Sequence, residues 1–353
     1  MVMIPRLKKS EVAIISDLHL GVHSNSSTWH TIAIEWANWL RDELVSKNIK
    51  DIIFCGDWHH SRSEISVLTL QVSADIFDIL ADFNIICITG NHDIYFKHRT
   101  DVNSMSVFKK RKNVTVLDKP YVHEQFDKTI LFCPWNTDIT KLPKGDVLFG
   151  HLETETFKMN TFKTCSEGIK VSDVLDVCPL AISGHFHTRQ EKIYKNGRIL
   201  YVGNTFQMDF GDTNNDKGYY IMDLNDLSTE FFKNTVSPIY RKTSLSELIS
   251  FGSFTKKVKE IFGGNIVQLK IDKNIAADDM DILLKKISLL HPETLTVDYD
   301  INFNKISNLE GREDLSGIDA KEAIVEFIDL LDIDDKDGII KYTIELYKKC
   351  KQL

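Results

Sequence analysis

Cys87 to Phe96 reads CITGNHDIYF. An apolar run, Ile85, Ile86, Cys87 and Ile88, stops at Gly90, and an amide, an imidazole and a carboxylate follow without a spacer: Asn91, His92 and Asp93. A short β-branched run of this kind has the length and character of a buried strand. Three polar side chains at the tip of such a strand need a destination, and the rest of the chain repeats the pattern.

The runs EVAIISDLHL, KDIIFCGDWHH, NIICITGNHD, GDVLFGHLE, PLAISGHFHT and RILYVGNTF, with TILFCPWN beside them, are all strand-like, and several end in a polar cluster. Between the first three lie helix-like stretches. In 29–44, the residues Ile32, Ala33, Trp36, Leu40 and Leu44 recur at helical spacing, and a second helix is expected over about 66–80. Strand alternating with helix argues for an α/β domain, whose ligands gather beyond the strand ends.

The polar residues at those ends form one set. Asp17 and His19 come from SDLH, Asp57 and His60 from GDWHH, Asn91, His92 and Asp93 from GNHD, His151 from GH, and His185 and His187 from SGHFH. Glycine precedes the polar residue in four of the five clusters, where a sharp backbone turn is expected. One histidine at a strand end is usually an ordinary loop residue, but five such clusters closing five strand-like runs are not an accident of composition. Carboxylate, amide and imidazole without thiolate suit Mn²⁺, Fe or Zn²⁺ and argue against a cysteine-type structural zinc. The set exceeds the needs of one ion. A carboxylate such as Asp57 can bridge two, roughly 3.5–4 Å apart, which clamps an in-line phosphoryl displacement and acidifies water to give the nucleophile. Asn91 would then offer its carbonyl oxygen to an ion. His92 would face the substrate to protonate the leaving oxygen or stabilise phosphate charge, and Asp93 would hold the loop by hydrogen bonding.

Composition is that of an ordinary globular protein: 353 residues, 42% hydrophobic, 27% charged, net charge −8. Two or three domains are expected at this length. An acidic chain is a poor candidate for coating DNA electrostatically, although DNA as a substrate remains open if metals or a local patch supply positive charge. Six cysteines without a CxxC pair read as reduced thiols of a cytosolic protein. MVMIPRLKKS lacks the apolar core of a signal peptide, and no window approaches the ~18 apolar residues of a membrane span. A cytoplasmic protein without membrane contact is expected.

Beyond residue 223 the texture changes. FFKNTVSPIYRKTS reads as a linker, LSELISFGSFTKKVKEIF as helix-like, NIVQLKID as a strand, AADDMDILLKKISLL as a helix and TLTVDYDI as a strand. These predict a small α/β domain over 240–305 after a first domain over 1–235. NLEGREDLSG reads as a second linker, and 316–353 as two amphipathic helices. Asp319 and Glu322 have capping-box spacing. Ala320, Ile324, Phe327 and Leu331 line one stripe, and Ile340, Ile344 and Tyr347 the other.

The five clusters resemble the pattern of the calcineurin-like metallophosphoesterase superfamily: D-x-H, G-D, G-N-H-D/E, G-H and G-H-x-H, in that order. The resemblance implies a four-layer β-sandwich of two mixed sheets flanked by helices. It implies one ion held by Asp17, His19, Asp57 and His187, a second held by Asp57, Asn91, His151 and His185, and His92 as the catalytic histidine. His60, where many phosphatases of the superfamily have an acidic residue, is similar to the SbcD-type nuclease subunits of SbcCD and MRN complexes, in which it lies near the catalytic histidine and bears on exonuclease activity. GNHDIYFK, NVTVLDKP, FCPWN and YVGNTFQMDFGD…KGYYIMDL add a likeness to the nuclease subunits of phage recombination endonucleases over 11–223. Trp58 stands where that pattern has an aliphatic residue.

That resemblance implies a DNA exonuclease and endonuclease with two divalent ions, Mn²⁺ or else Mg²⁺, acting in DNA repair, recombination and replication. It implies a homodimer that joins an SbcC-type coiled-coil ABC ATPase in a heterotetramer, in the host cytoplasm if phage-encoded. The small domain would cap the site and contact DNA. Ile324, Phe327, Leu331, Ile340, Ile344 and Tyr347 would dock on the ATPase, the alternative being packing against the cap. Lys97, His98 and Arg99, with Lys109, Lys110 and Arg111, are candidate DNA contacts or solvated charges. A phosphatase or cyclic-nucleotide phosphodiesterase would use the same metals, and a scaffold that has lost catalysis would lack ligands that this chain retains.

Overall fold

The computed structural model describes residues 6–159, 163–252 and 255–299, with 325, 328–329 and 335–350. The apolar runs become strands because they are buried on both faces. In β1 (Glu11–Ile15), Val12 and Ile14 face one way and Ala13 and Ile15 the other; in β2 (Asp51–Phe54) and β3 (Asn84–Ile88) the same alternation repeats, and every residue of both strands is buried. Two six-stranded sheets result. The first has the order β14-β13-β1-β2-β3-β6, where β6 is Val114–Leu117, β13 Gly218–Asp223 and β14 Ser228–Lys233. Its strands β1, β2, β3 and β6 are parallel, while β13 and β14 form an antiparallel edge.

The second sheet has the order β11-β12-β10-β9-β8-β7, with β7 Tyr121–Gln125, β8 Lys128–Cys133, β9 Val147–His151, β10 Leu180–Gly184, β11 Gln190–Tyr194 and β12 Gly197–Tyr201. Its four central strands are parallel and its two edges antiparallel. One apolar layer, built from Ile14, Ile53, Ile86, Phe132, Phe149 and Ile182, lies between the sheets. A second joins the outer face of the first sheet to helices α2 (Ser27–Ser46) and α3 (Val67–Ile79). A third joins the second sheet to α4 (Val171–Val177). The result is the four-layer sandwich that the resemblance implies. Ser66 caps α3, its hydroxyl accepting from the Thr69 backbone N–H.

A third, fully parallel sheet follows, β15 (Tyr240–Ser244), β16 (Ile266–Ile271) and β17 (Thr294–Tyr299), packed with α5 (Leu245–Ser250), α6 (Lys256–Phe262) and α7 (Ala277–Ser288) around its own core. Tyr240 ties it to the sandwich: its hydroxyl donates to the Met208 carbonyl at 2.8 Å and its ring stacks on Trp29.

Two expectations need correction. FFKNTVSPIYRKTS is not a linker throughout. Phe231 and Phe232 sit in β14 opposite Tyr220 and Tyr219, aromatic cross-strand pairs that outweigh the local turn signals, and β15 starts at Tyr240. The stretch 245–262 is two helices rather than one, because the backbone leaves α5 at Gly252 with φ +75°, a conformation that ends a helix. Of the C-terminal pair, the structure describes α8 (Lys336–Cys350), where Ile340, Ile344 and Tyr347 are half-buried. Ala320, Ile324, Phe327, Leu331 and the capping box at Asp319 and Glu322 lie outside the described residues. No helix among those described is long and apolar enough to cross a membrane. Cys55, Cys87, Cys133, Cys165 and Cys178 are free and buried.

Candidate metal centre

All five polar clusters leave the carboxyl ends of parallel strands. β1, β2 and β3 are neighbours in one sheet and β9 and β10 in the other, so the loops meet at one end of the sandwich. The turns are sharp, but not where the glycines predict. Of the four glycines only Gly56 has a positive φ, +96°. The polar residues themselves take the left-handed conformation: Asp17 (φ 54°), His19 (φ 47°), Asp57 (φ 61°) and His185 (φ 93°). Each such residue costs on the order of 1–3 kcal/mol and persists only where its surroundings impose it. Gly90 serves a different end, close approach: a Cβ there would lie 2.2 Å from Asp57 Oδ1 and 2.4 Å from its backbone nitrogen.

The side chains converge on Asp57. Its Oδ2 lies 3.3 Å from His151 Nε2 and 3.6 Å from His19 Nε2, while Oδ1 accepts from the His92 backbone N–H at 2.8 Å. On one side stand Asp17, His19 and His187, with His19 Nε2 3.8 Å from Asp17 Oδ1 and 2.9 Å from His187 Nε2. On the other stand Asp57, His151 and His185, and Asn91 Oδ1 lies 2.9 Å from both His151 Nε2 and His185 Nδ1.

These residues fit a cation. His151 Nδ1 donates to the Cys55 carbonyl at 2.7 Å, so in the neutral ring Nε2 holds a lone pair, aimed at the oxygens of Asp57 and Asn91. Acceptors crowded against acceptors require positive charge between them. Separations of 2.9 to 3.8 Å match the edges of a coordination polyhedron with bonds of about 2.1 Å. Without metal, protons take that role. Burial opposes the charged form of His151, but Asp57 outweighs it and raises the pKa to about 9. Burial opposes ionisation of Asp57 as well, yet His151 and His19 hold its carboxyl well below the usual range. Burial, then the charge of His151, pushes His185 down to about 3; burial, then His19, pushes His187 down to about 4. Both rings are therefore neutral lone-pair donors.

Supporting groups surround the centre. The Asp93 carboxylate accepts four backbone N–H bonds, from Asp57, Trp58, His59 and Gly90, at 2.9 to 3.1 Å. It thereby ties the β2 and β3 loops together. His92 Nδ1 donates to the His60 carbonyl at 2.6 Å, and one nitrogen from each of His19, His60 and His92 lies within 4.8 Å of the others. Burial, with the neighbouring imidazoles, pushes His60 down to about 4. Trp58 points away from the centre. It is fully buried, stacked on Phe77 at 4.3 Å, edge-on to Phe54, and bonded through its indole N–H to Ser73. Trp58→Ala is expected to destabilise the fold by about 3–5 kcal/mol, read by urea unfolding. The aromatic residue is thus accommodated by the α3 core and leaves the second cluster undisturbed.

Three contributors escaped the sequence reading. Ser16 donates to Asp17 Oδ2 at 2.5 Å. Trp135, noticed only within FCPWN, lies with its ring 4.9 Å from that of His185 and 5.9 Å from that of His151. The buried Lys217–Asp212 pair, at 2.7 Å, supports the last loop through Lys217 Nζ, which donates to the His187 carbonyl. Lys97, His98 and Arg99 sit on the hairpin of β4 (Ile94–Phe96) and β5 (Arg99–Asn103), where Arg99 pairs with Asp101. Lys109 pairs with Asp118 and Arg111 with Asp78, and Lys110 is exposed.

Residues 10–189 match the family described as calcineurin-like phosphoesterase. The chain is similar to Exonuclease subunit 1 of Enterobacteria phage T4, with 25% identity over 357 residues covering 96% of this chain and 98% of that protein. Among solved structures it is similar to an archaeal phosphodiesterase, at 14% identity and a TM-score of 0.37, covering 64% of this chain and 99% of the other.

Proposed function

This chain belongs to the calcineurin-like phosphoesterase family, and from that premise we propose that it is a metal-dependent DNA nuclease subunit hydrolysing phosphodiester bonds at DNA ends. The observation that carries the chemistry is Asp57 Oδ2, within 3.3 and 3.6 Å of imidazole nitrogens from two separate acceptor clusters. DNA as substrate is supported by the similarity to an exonuclease subunit across nearly the whole chain.

In this reading Asp17, His19, Asp57 and His187 hold one divalent cation and Asp57, Asn91, His151 and His185 a second, with Mn²⁺ the ion the family resemblance implies, among the several that mixed oxygen and nitrogen donors suit. When bound, the pair supplies Lewis-acid polarisation of the phosphate and activation of water. The chain's own residues do the rest. Asp57 offsets the repulsion of two cations. His92, pinned through Nδ1 to the His60 carbonyl, presents Nε2 toward the leaving oxygen. Asp93 and the Lys217–Asp212 pair keep the loops from relaxing. Residues 1–235 form the hydrolytic domain, 240–305 a cap that contacts DNA, and 316–353 the docking segment for an SbcC-type ATPase, in a cytoplasmic heterotetramer built on a dimer of this chain. Lys97, His98, Arg99, Lys109, Lys110 and Arg111 are the candidate phosphate contacts.

The test compares substrates. The full-length protein with Mn²⁺ is expected to degrade linear duplex DNA from its ends, faster with the ATPase, and to stop on chelation. Hydrolysis confined to small phosphoesters or cyclic nucleotides, with DNA intact even when the ATPase is present, sinks the nuclease reading and leaves the phosphatase or phosphodiesterase one. Removing 318–353 is expected to abolish capture of the ATPase.

A further inference from the structure

Beside the centre, on the His151 side, lies a cavity of about 350 Å³. Its walls include Trp135, Thr137, His151, Leu152, Glu153 and Ile169. His151 is common to the cavity and the metal centre, so whatever fills the one abuts the other. Trp135 is held firmly: its backbone N–H donates to the Thr89 carbonyl at 2.9 Å, and its ring packs against His185.

The polar groups of the wall are mostly committed. The Asn136 amide donates to the Lys97 carbonyl, the Thr137 hydroxyl donates to the Pro134 carbonyl, and Asp138 accepts from Thr140 and pairs with Lys141. The Glu153 carboxylate, also in the wall, makes no ion pair among the described residues. The wall therefore offers an aromatic ring, aliphatic surface from Leu152 and Ile169, and one carboxylate acceptor. Among the described residues it contains no lysine or arginine, so it is not built for phosphate. The volume falls at the lower end of the roughly 300–1,000 Å³ typical of small-molecule sites.

We propose that this pocket receives the nucleobase of the nucleotide carrying the scissile phosphate, turned out of its stack against Trp135, with Glu153 accepting from an exocyclic amino group. Every base has a π-face, so stacking on Trp135 tolerates any sequence. Adenine, cytosine and guanine carry the amino donor that Glu153 reads, and thymine does not. Turning a base out is cheapest where it is unpaired, so the pocket favours frayed or single-stranded ends. The inference rests on the nuclease reading and specifies which part of the substrate the same site grips.

Calorimetric titration of the full-length, Mn²⁺-saturated protein tests it without depending on turnover. The probes are dAMP, dCMP, dTMP and 2-deoxyribose 5-phosphate, which share a phosphate. dAMP and dCMP are expected to bind on the order of tenfold more tightly than the abasic compound, with dTMP between. That ratio should collapse toward one in Trp135→Ala and survive in Trp135→Phe. Glu153→Gln should narrow the gap between dCMP and dTMP. Ile169→Trp, which fills the cavity from another wall, should reproduce the collapse and guards against a fold defect peculiar to Trp135→Ala. Equal binding of dAMP and the abasic compound by the unaltered protein overturns the pocket, as does a ratio that survives both filling and emptying the cavity. DNA hydrolysis by the same preparation reports separately. Cleaved DNA without base discrimination removes the pocket and keeps the nuclease, while intact DNA with base discrimination does the reverse.

Discussion

Asp57→Asn is expected to lower metal-supported hydrolysis by roughly a thousandfold or more, and to reduce bound Mn²⁺ from two ions per chain to one or fewer by equilibrium dialysis. The reason is geometric as well as electrostatic. Asp57 Oδ1 accepts the His92 N–H, and Oδ2 faces the Nε2 atoms of His151 and His19. An amide has one acceptor oxygen and one donor nitrogen. If its nitrogen replaces Oδ1, two N–H groups oppose each other at His92; if it replaces Oδ2, the amide donates to the imidazole lone pairs and occupies them. Neither orientation leaves an anionic bridge. The metal-free variant is expected to unfold at a lower temperature than the metal-free parent, because Asp57 is the buried counter-charge of His151 and His19, and removing one partner of a buried pair leaves the other uncompensated. A variant that keeps two ions and most of its activity rules out Asp57 as the bridge.

Much of this arrangement was legible from residue pattern because strands buried on both faces leave an uninterrupted apolar signal. Ile52 to Cys55 and Ile85 to Ile88 are apolar at consecutive positions, and each run ends abruptly at residues that have no business in a core. What pattern could not provide was conformation and support. The glycines suggested where the backbone turns, yet Asp17, His19, Asp57 and His185 do the turning. Their strain is sustained by long-range bonds, such as those from the Asp57 N–H to Asp93, 36 residues away, and from Lys217 to the His187 carbonyl, 30 residues away. A lone Lys217 or Trp135 in the sequence carries no period and no spacing. β14 was hidden for a related reason: its aromatic residues earn their place only opposite Tyr219 and Tyr220.

His92→Ala is expected to behave unlike Asp57→Asn, and the contrast separates proton transfer from metal binding. The backbone N–H of His92 is committed to Asp57, its Nδ1 to the His60 carbonyl, and its ring stands edge-on to His19 at 4.9 Å. The tautomer is thereby fixed, leaving Nε2 as the working atom. Burial above all, with the charges of His19 and Arg62, holds its pKa below the usual imidazole value, against the pull of Asp57 and the His60 carbonyl. At neutral pH the resting ring is therefore uncharged, and it gains a proton when phosphate oxygens arrive opposite it. Losing such a group costs about 10²–10⁴ in rate. The full loss should appear on DNA, whose alkoxide leaving group needs a proton, and a much smaller one on bis(4-nitrophenyl) phosphate, whose leaving group departs as a stable anion. Bound Mn²⁺ should stay at two ions per chain. An equal loss on both substrates would reduce His92 to charge stabilisation, and a fall in metal content parallel to the fall in rate would make it part of the cation site instead.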